Sequence, residues 1–325
     1  MRLNLSSFLQ WKVNIFLYRK MGWKFALIYI MVLGNLYFFF NRKEKRKIQE
    51  AVKTVFANQK DQSEIRTIIK RVFRGIFWHY YEKFFNVYSP VERLKEFFKG
   101  HINPKGIGAI EQGIAGGKGV LLVTGHFGGI EYIPTYLASL NYPVTILAKF
   151  SSDRLRKISN ELADRLAFKI IDANNCPNIV KAIINNLKEN RIVITQCDEI
   201  DGWKPLLHNE ISFLGKRINL DKTINTISRR AEASVVFGLM LRDNNRRYKF
   251  VAHSWNEILK AAENLANKPV GEVVLKLLEQ YIYQYPEVWY QWKKVPEIKK
   301  ADGQAAPVDE LGPPAWVEPA FGRIL

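Results

Sequence analysis

The chain has 325 residues, 47% of them hydrophobic and 13% aromatic, which excludes an intrinsically disordered protein and is enough apolar side chain for a large core. Lys and Arg exceed Asp and Glu by 49 − 31 = 18, a field that attracts nucleic acid, an anionic membrane leaflet, or acidic and phosphorylated substrates. Two cysteines, Cys176 and Cys197, exclude a disulfide framework or a cysteine-rich zinc site and fit a reducing compartment.

Phe25–Phe40 (FALIYIMVLGNLYFFF) carries no charge. As a helix it rises about 24 Å, short of a hydrocarbon core of roughly 30 Å. Lys12, Arg19, Lys20 and Lys24 precede it, and Arg42, Lys43, Lys45, Arg46 and Lys47 follow, so the cations set no inside–outside asymmetry. No small-residue cleavage site follows, so a removed signal peptide is not expected. Residues 1–41 are read as a retained hydrophobic membrane anchor, interfacial or spanning, against the alternative of a helix buried in a soluble protein. The basic run would then meet anionic headgroups on the cytoplasmic side.

Residues 42–100 form a helical basic segment. Ile48, Val52, Val55 and Phe56 make one stripe. A stronger one runs through Ile65, Ile68, Ile69, Val72, Phe73, Ile76, Phe77, Tyr80, Tyr81, Phe84 and Phe85, with Asp61 and Glu64 as a capping pair. This predicts a core-facing helix, with the lining of an acyl-chain groove as the functional alternative for its aromatics.

Residues 101–300 change rhythm. Apolar strand candidates at Gly119–Thr124, Val144–Ala148, Lys169–Ile171 and Arg191–Thr195 alternate with helical stripes. Ser234–Met240 and Tyr248–Ala252 are later strands joined across Asp243–Arg247. The pattern predicts an α/β domain with a largely parallel central sheet flanked by helices and an antiparallel pair at one edge. Residues 301–325 carry Pro307, Pro313, Pro314 and Pro319 and are expected to be a disordered tail.

The sharpest motif is Gly125-His126-Phe127-Gly128-Gly129-Ile130-Glu131, directly after the strand GVLLVT. On a regular helix five positions turn about 140°, so His126 and Glu131 would not share a face. With His126 in a strand-to-helix turn and Glu131 in the first helical turn, the carboxylate can curl back to orient the imidazole, as the acid of a serine-type triad does. Backbone N–H groups of Gly128 and Gly129 are candidate oxyanion donors. Lys149 and Asp198 also fall just beyond strands, and in an open α/β sheet such positions gather into one ligand cleft. Gly113–Gly119 (GIAGGKG) lacks phosphate-loop spacing and precedes its strand. His79, His101, His208 and His253 show no ligand spacing and are read as structural or surface residues.

His-x4-Glu on a strand–helix turn resembles the glycerolipid-type acyltransferase superfamily. The flanking GHFGGIE resembles, more narrowly, the late acyltransferases of lipid A biosynthesis, the lauroyl/myristoyl transferase family. Other elements follow in order over residues 10–296. Lys149 ends a strand where the family has a basic residue. Asp198 precedes a Phe213-Leu214-Gly215 turn expected to lead into a helix. Pro286-Glu287-Val288-Trp289-Tyr290-Gln291-Trp292-Lys293-Lys294 is similar to a late Pro-Glu-x-x-aromatic-x-Trp-basic element. Gly129-Ile130 stands for Asn-Trp, Lys149 for arginine, and Glu199–Asn209 differs from the family's run; these departures bear on the acceptor more than on the chemistry.

The resemblance implies a membrane-associated acyltransferase on the cytoplasmic face of the inner membrane. It would move a fatty acyl group from acyl carrier protein to a hydroxyl of a lipid A precursor or related anionic glycolipid. His126 would be the general base and Glu131 its orienting carboxylate, with Lys149, Asp198, Gly128 and Gly129 binding substrate. No metal, redox cofactor or nucleic acid is called for. The competing readings are the same chemistry on a lysophospholipid or an amine, and a non-catalytic basic membrane- or nucleic-acid-binding protein.

Overall fold

Short runs of Val, Ile and Leu, too apolar to face water, become inner strands of a seven-stranded sheet. The computed structural model describes residues 5–298 apart from 21–22, 151, 203, 244–246, 262–264 and 266. The tail expected over 301–325 lies outside the described residues. The strand order is β1-β9-β8-β2-β5-β3-β4. Strands β2 (Val120–Thr124), β3 (Val144–Ala148), β4 (Lys169–Asp172), β5 (Ile192–Gln196) and β8 (Ser234–Arg242) are parallel. Strand β9 (Tyr248–Ser254) returns antiparallel to β8, the expected edge pair, and β1 (Ile102–Lys105) extends that edge parallel to β9. Strand β1 carries no sequence signal, because INPK has neither alternation nor an apolar run.

Alternation along each strand feeds two cores. Val120 and Leu122 of β2 and Ile192 and Ile194 of β5 pack with α6 (Val91–His101), α7 (Ile107–Ala115), α8 (Tyr132–Ser139) and α9 (Asp153–Leu166). Leu121, Val123 and Val193 face α10 (Ile179–Lys188), α11 (Thr223–Ala231) and α12 (Val270–Gln284). The second core continues without a break into the N-terminal helices α1 (Leu5–Leu9), α2 (Lys12–Lys20), α3 (Trp23–Phe40), α4 (Arg42–Phe56) and α5 (Gln62–Tyr88). The capping box expected at Asp61 and Glu64 opens α5.

A second sheet is a hairpin of β6 (Pro205–Phe213) and β7 (Lys216–Asp221). Leu214 (φ 49°) and Gly215 (φ 72°) form its turn, both with the positive φ of tight hairpin turns. The Phe-x-Gly element therefore joins two strands and does not lead directly into a helix.

Helix α3 lies on the body. Ala26, Leu27, Ile30, Tyr37 and Phe38 are buried, whereas Phe25, Ile28, Val32, Phe39 and Phe40, with Phe16 of α2, are 57–76% exposed. No single helix among the described residues is long and apolar enough to cross a membrane; Phe25–Phe40 and Arg42–Phe56 pass that test only as a pair bent by 98°.

Candidate active site

Parallel pairing of β2 and β5 sets Thr124 opposite Gln196. Two residues further along each chain, His126 and Asp198 meet. The Asp198 carboxylate is fully buried. It accepts His126 Nδ1–H at 2.9 Å, the His126 backbone N–H at 3.0 Å to each oxygen, and Trp289 Nε1–H at 2.7 Å. A carboxylate only accepts, so Nδ1 carries the proton and the lone pair is on Nε2. On that side Glu199 Oε2 lies 3.5 Å from Nε2. Burial alone lowers the His126 pKa, but the charge and hydrogen bond of Asp198, with Glu199 and Glu131, outweigh it, and the net shift is upward.

Glu131 stands elsewhere. Its carboxylate is 3.6 Å from Lys83 Nζ and 3.8 Å from His79 Nε2, both on α5, and it makes no hydrogen bond or ion pair with His126. The expected curl-back is replaced by Asp198, because the 126–131 turn is pinned by bridges from Phe127 to Trp289 and from Gly128 to Met240, and Glu131 takes helical angles (φ −61°, ψ −23°) at the start of α8.

The glycine N–H groups are also taken. Gly128 N–H donates to the Val288 carbonyl at 3.0 Å and Gly129 N–H to the Met240 carbonyl at 2.8 Å, so neither is free for an oxyanion. Gly128 has φ +60°, and a Cβ there would sit 1.9 Å from the Met240 oxygen. Glycine is needed for this backbone-to-backbone approach.

The Nε2 face opens on a cleft of about 650 Å³ at the carboxyl ends of β2, β3 and β5. Lys149, exposed at the end of β3, lines it with Lys83, Lys293 and Lys294. Ile130, Pro134, Leu147, Leu162 and Phe168 give the cleft an apolar part of its lining. Of the aromatic stripe on α5, Tyr80 lines the cleft, while Phe77, Tyr81, Phe84 and Phe85 belong to the core. The site thus collects His126, Glu131 and Lys149 around one space, with Asp198 sealed behind His126.

His79 is a residue that spacing missed. It is buried but lines the cleft, stacked on Tyr290 at 3.6 Å and 15°, and Tyr290 meets His126 edge-on at 5.5 Å and 88°. Burial first, then the charges of Lys83 and His126, holds its pKa well below the usual value, so it is neutral. Trp289 was also missed as a partner of Asp198; the one signal for it was its place in the late aromatic element.

Residues 2–294 match the model of the bacterial lipid A biosynthesis acyltransferases. The chain belongs to this family. Comparison with curated proteins found no match. Within a lipid A acyltransferase the late element acquires a physical meaning: residues 286–294 run from the ion pair of Glu287 with Arg71, through the Trp289 bond to Asp198, to Lys293 and Lys294 at the cleft. No group of three or more His, Cys, Asp or Glu among the described residues has the arrangement to hold a metal ion. An imidazole with one nitrogen locked and the other open to a partly apolar cleft is suited to taking a proton from an acceptor lying beside an acyl chain.

Proposed function

We propose that this acyltransferase moves a fatty acyl group from an acyl carrier protein thioester to a hydroxyl of a lipid A precursor or related anionic glycolipid, with His126 as general base. The observation that carries this is the asymmetry of the imidazole: Nδ1 held by a buried carboxylate and Nε2 facing a cleft with apolar walls. His126 Nε2 takes the acceptor's hydroxyl proton, the oxygen attacks the thioester carbonyl, the C–S bond breaks, and the proton passes to the leaving thiolate. General base catalysis of this kind contributes roughly 10²–10⁴-fold.

Asp198 fixes the tautomer and stabilises the imidazolium. Glu131 works from across the cleft, holding Lys83 and adding negative potential at His126. Lys149 binds a phosphate of the acceptor or of the carrier's phosphopantetheine. The net charge of +18 suits an acidic carrier and an anionic acceptor. The exposed apolar stripe of α2 and α3, with basic residues beyond it, supports interfacial docking at the cytoplasmic face of the inner membrane.

The test is acyl transfer from carrier thioester to lipid A precursor, read by mass spectrometry of the product. Wild type is expected to acylate and His126→Ala to lose about 10²–10⁴-fold. A folded His126→Ala enzyme with near-normal turnover would refute the mechanism, and wild-type transfer only to lysophospholipid would refute the acceptor.

A further inference from the structure

A second cavity, of about 230 Å³, lies between the end of α2, the start of α3 and the junction of α5 with α6. It shares no lining residue with the catalytic cleft. A water's share of liquid is about 30 Å³, so a phosphate group and several waters fit. Arg19 and Arg93 line it with the hydroxyl side chains of Tyr18, Tyr88 and Ser89, and no acidic residue does. The nearest carboxylate in sequence, Glu92, is highly exposed and engaged by Arg165.

Two polar groups here are free to meet a ligand. The Tyr88 ring is buried, and its hydroxyl, at the cavity wall, has no hydrogen-bond partner among the described residues. Arg19, with an exposed side chain, makes no hydrogen bond or ion pair among the described residues. The cavity wall is electropositive beyond its own lining. Burial raises the Tyr88 pKa while Arg154 and Arg19 pull it down, and Arg93 acts in the same sense on Tyr18. Guanidinium groups and hydroxyl donors lining one cavity suit the oxygens of a phosphate. The site also adjoins the apolar face: Ala26 lines it, and its neighbours Phe25 and Ile28 are exposed, as are Val13 and Phe16 of α2. A free phosphate would gain nothing from that stripe, whereas a phospholipid would bury its chains beside it.

We propose that this cavity binds the phosphate of an anionic membrane phospholipid, anchoring the N-terminal helices to the bilayer at a point separate from the catalytic cleft. The proposal rests on the membrane docking described above and adds a headgroup site to it.

Native mass spectrometry of the full chain in nonionic detergent with phosphatidylglycerol tests it, alongside flotation with phosphatidylcholine/phosphatidylglycerol vesicles. Wild type should retain one phosphatidylglycerol. Arg19→Gln with Arg93→Gln, both at exposed side chains, should lose it, and Tyr88→Phe, which leaves the charge unchanged, should weaken it severalfold. A charge-matched control, Lys53→Gln with Lys70→Gln, should keep it. Equal retention in all variants, or equal loss in the control, overturns the site. Stabilisation of wild type by millimolar inorganic phosphate, lost in the arginine variant without any lipid retention, overturns the lipid assignment. Failure of wild type to float with vesicles overturns membrane docking itself, whereas flotation of wild type without site-dependent retention overturns only the headgroup site.

Discussion

The two sides of the His126 ring are built to different standards. Behind it, Asp198 is fully buried and accepts from a ring nitrogen, a backbone amide and an indole. In front, Glu199 is half-exposed, Glu131 is partly exposed, and four lysines border open space. Buried, fully satisfied networks hold one geometry, because breaking them leaves a charge without water or partner. Exposed pairs are worth little and can rearrange. The rear wall therefore sets where the proposed base stands, and the front wall is free to exchange partners.

Asp198→Asn should break this contrast most severely. The amide reverses one hydrogen-bond polarity at Nδ1 and removes the charge that stabilises the imidazolium, and by analogy with triad carboxylates kcat should fall about 10⁴-fold. Glu131→Gln alters one partly exposed ion-pair partner and should cost about tenfold or less. Steady-state kinetics on both, with circular dichroism as the fold check, decides it: equal losses would mean that the front wall orients the base.

Gly128→Ala tests the backbone half of the rear wall. A left-handed conformation costs a residue with a side chain about 1–3 kcal/mol, and here the Cβ also meets the Met240 carbonyl oxygen. A loss of about 3 kcal/mol with a lower Tm is expected. A variant as stable as wild type would show that the turn has room to relax.

Trp289→Phe removes one donor to Asp198 and keeps most of the ring packing against Trp292 and Phe213. A hydrogen bond to a charged group contributes about 1.5–3 kcal/mol, so a loss of roughly tenfold in kcat is expected, with KM nearly unchanged. A change in KM alone would place Trp289 in substrate binding.

Much of the site was legible before any pairing was known. Strand ends after GVLLVT, VTILA and RIVIT placed His126, Lys149 and Asp198 at one sheet edge, because buried parallel strands read as unbroken apolar runs. Which carboxylate reaches the imidazole was not legible. It depends on the β2–β5 register, a non-local fact, while the five-residue spacing to Glu131 suggested a local answer. The glycines announced a tight turn, but the carbonyls that capture their N–H groups belong to Met240 and Val288, more than 100 positions away. The hairpin is hidden differently: Ile211, Phe213, Ile218 and Leu220 alternate as strands do, but the Phe-x-Gly turn by itself suggests a helix to follow. His79 carries no ligand spacing at all, since its place comes from the packing of α5 over the cleft.

The smallest effect belongs to Glu199, and it separates the two walls by pH. To act as the proposed base His126 must be neutral, and its pKa is raised, so kcat/KM should climb as pH rises through that elevated value. Burial pulls the pKa down; Asp198 behind, Glu199 on Nε2 and Glu131 across the cleft push it up, and the neutral His79 beside Tyr290 adds no charge. Glu199→Gln removes one of the three carboxylates and leaves the Nδ1 hydrogen bond intact. The acid limb should then move to lower pH with the plateau in kcat nearly unchanged, and an NMR titration of the His126 ring in the free enzyme should move the same way. A limb that stays in place would mean that Glu199 does not sit on the imidazolium, and that the rear wall alone governs the charge of the base.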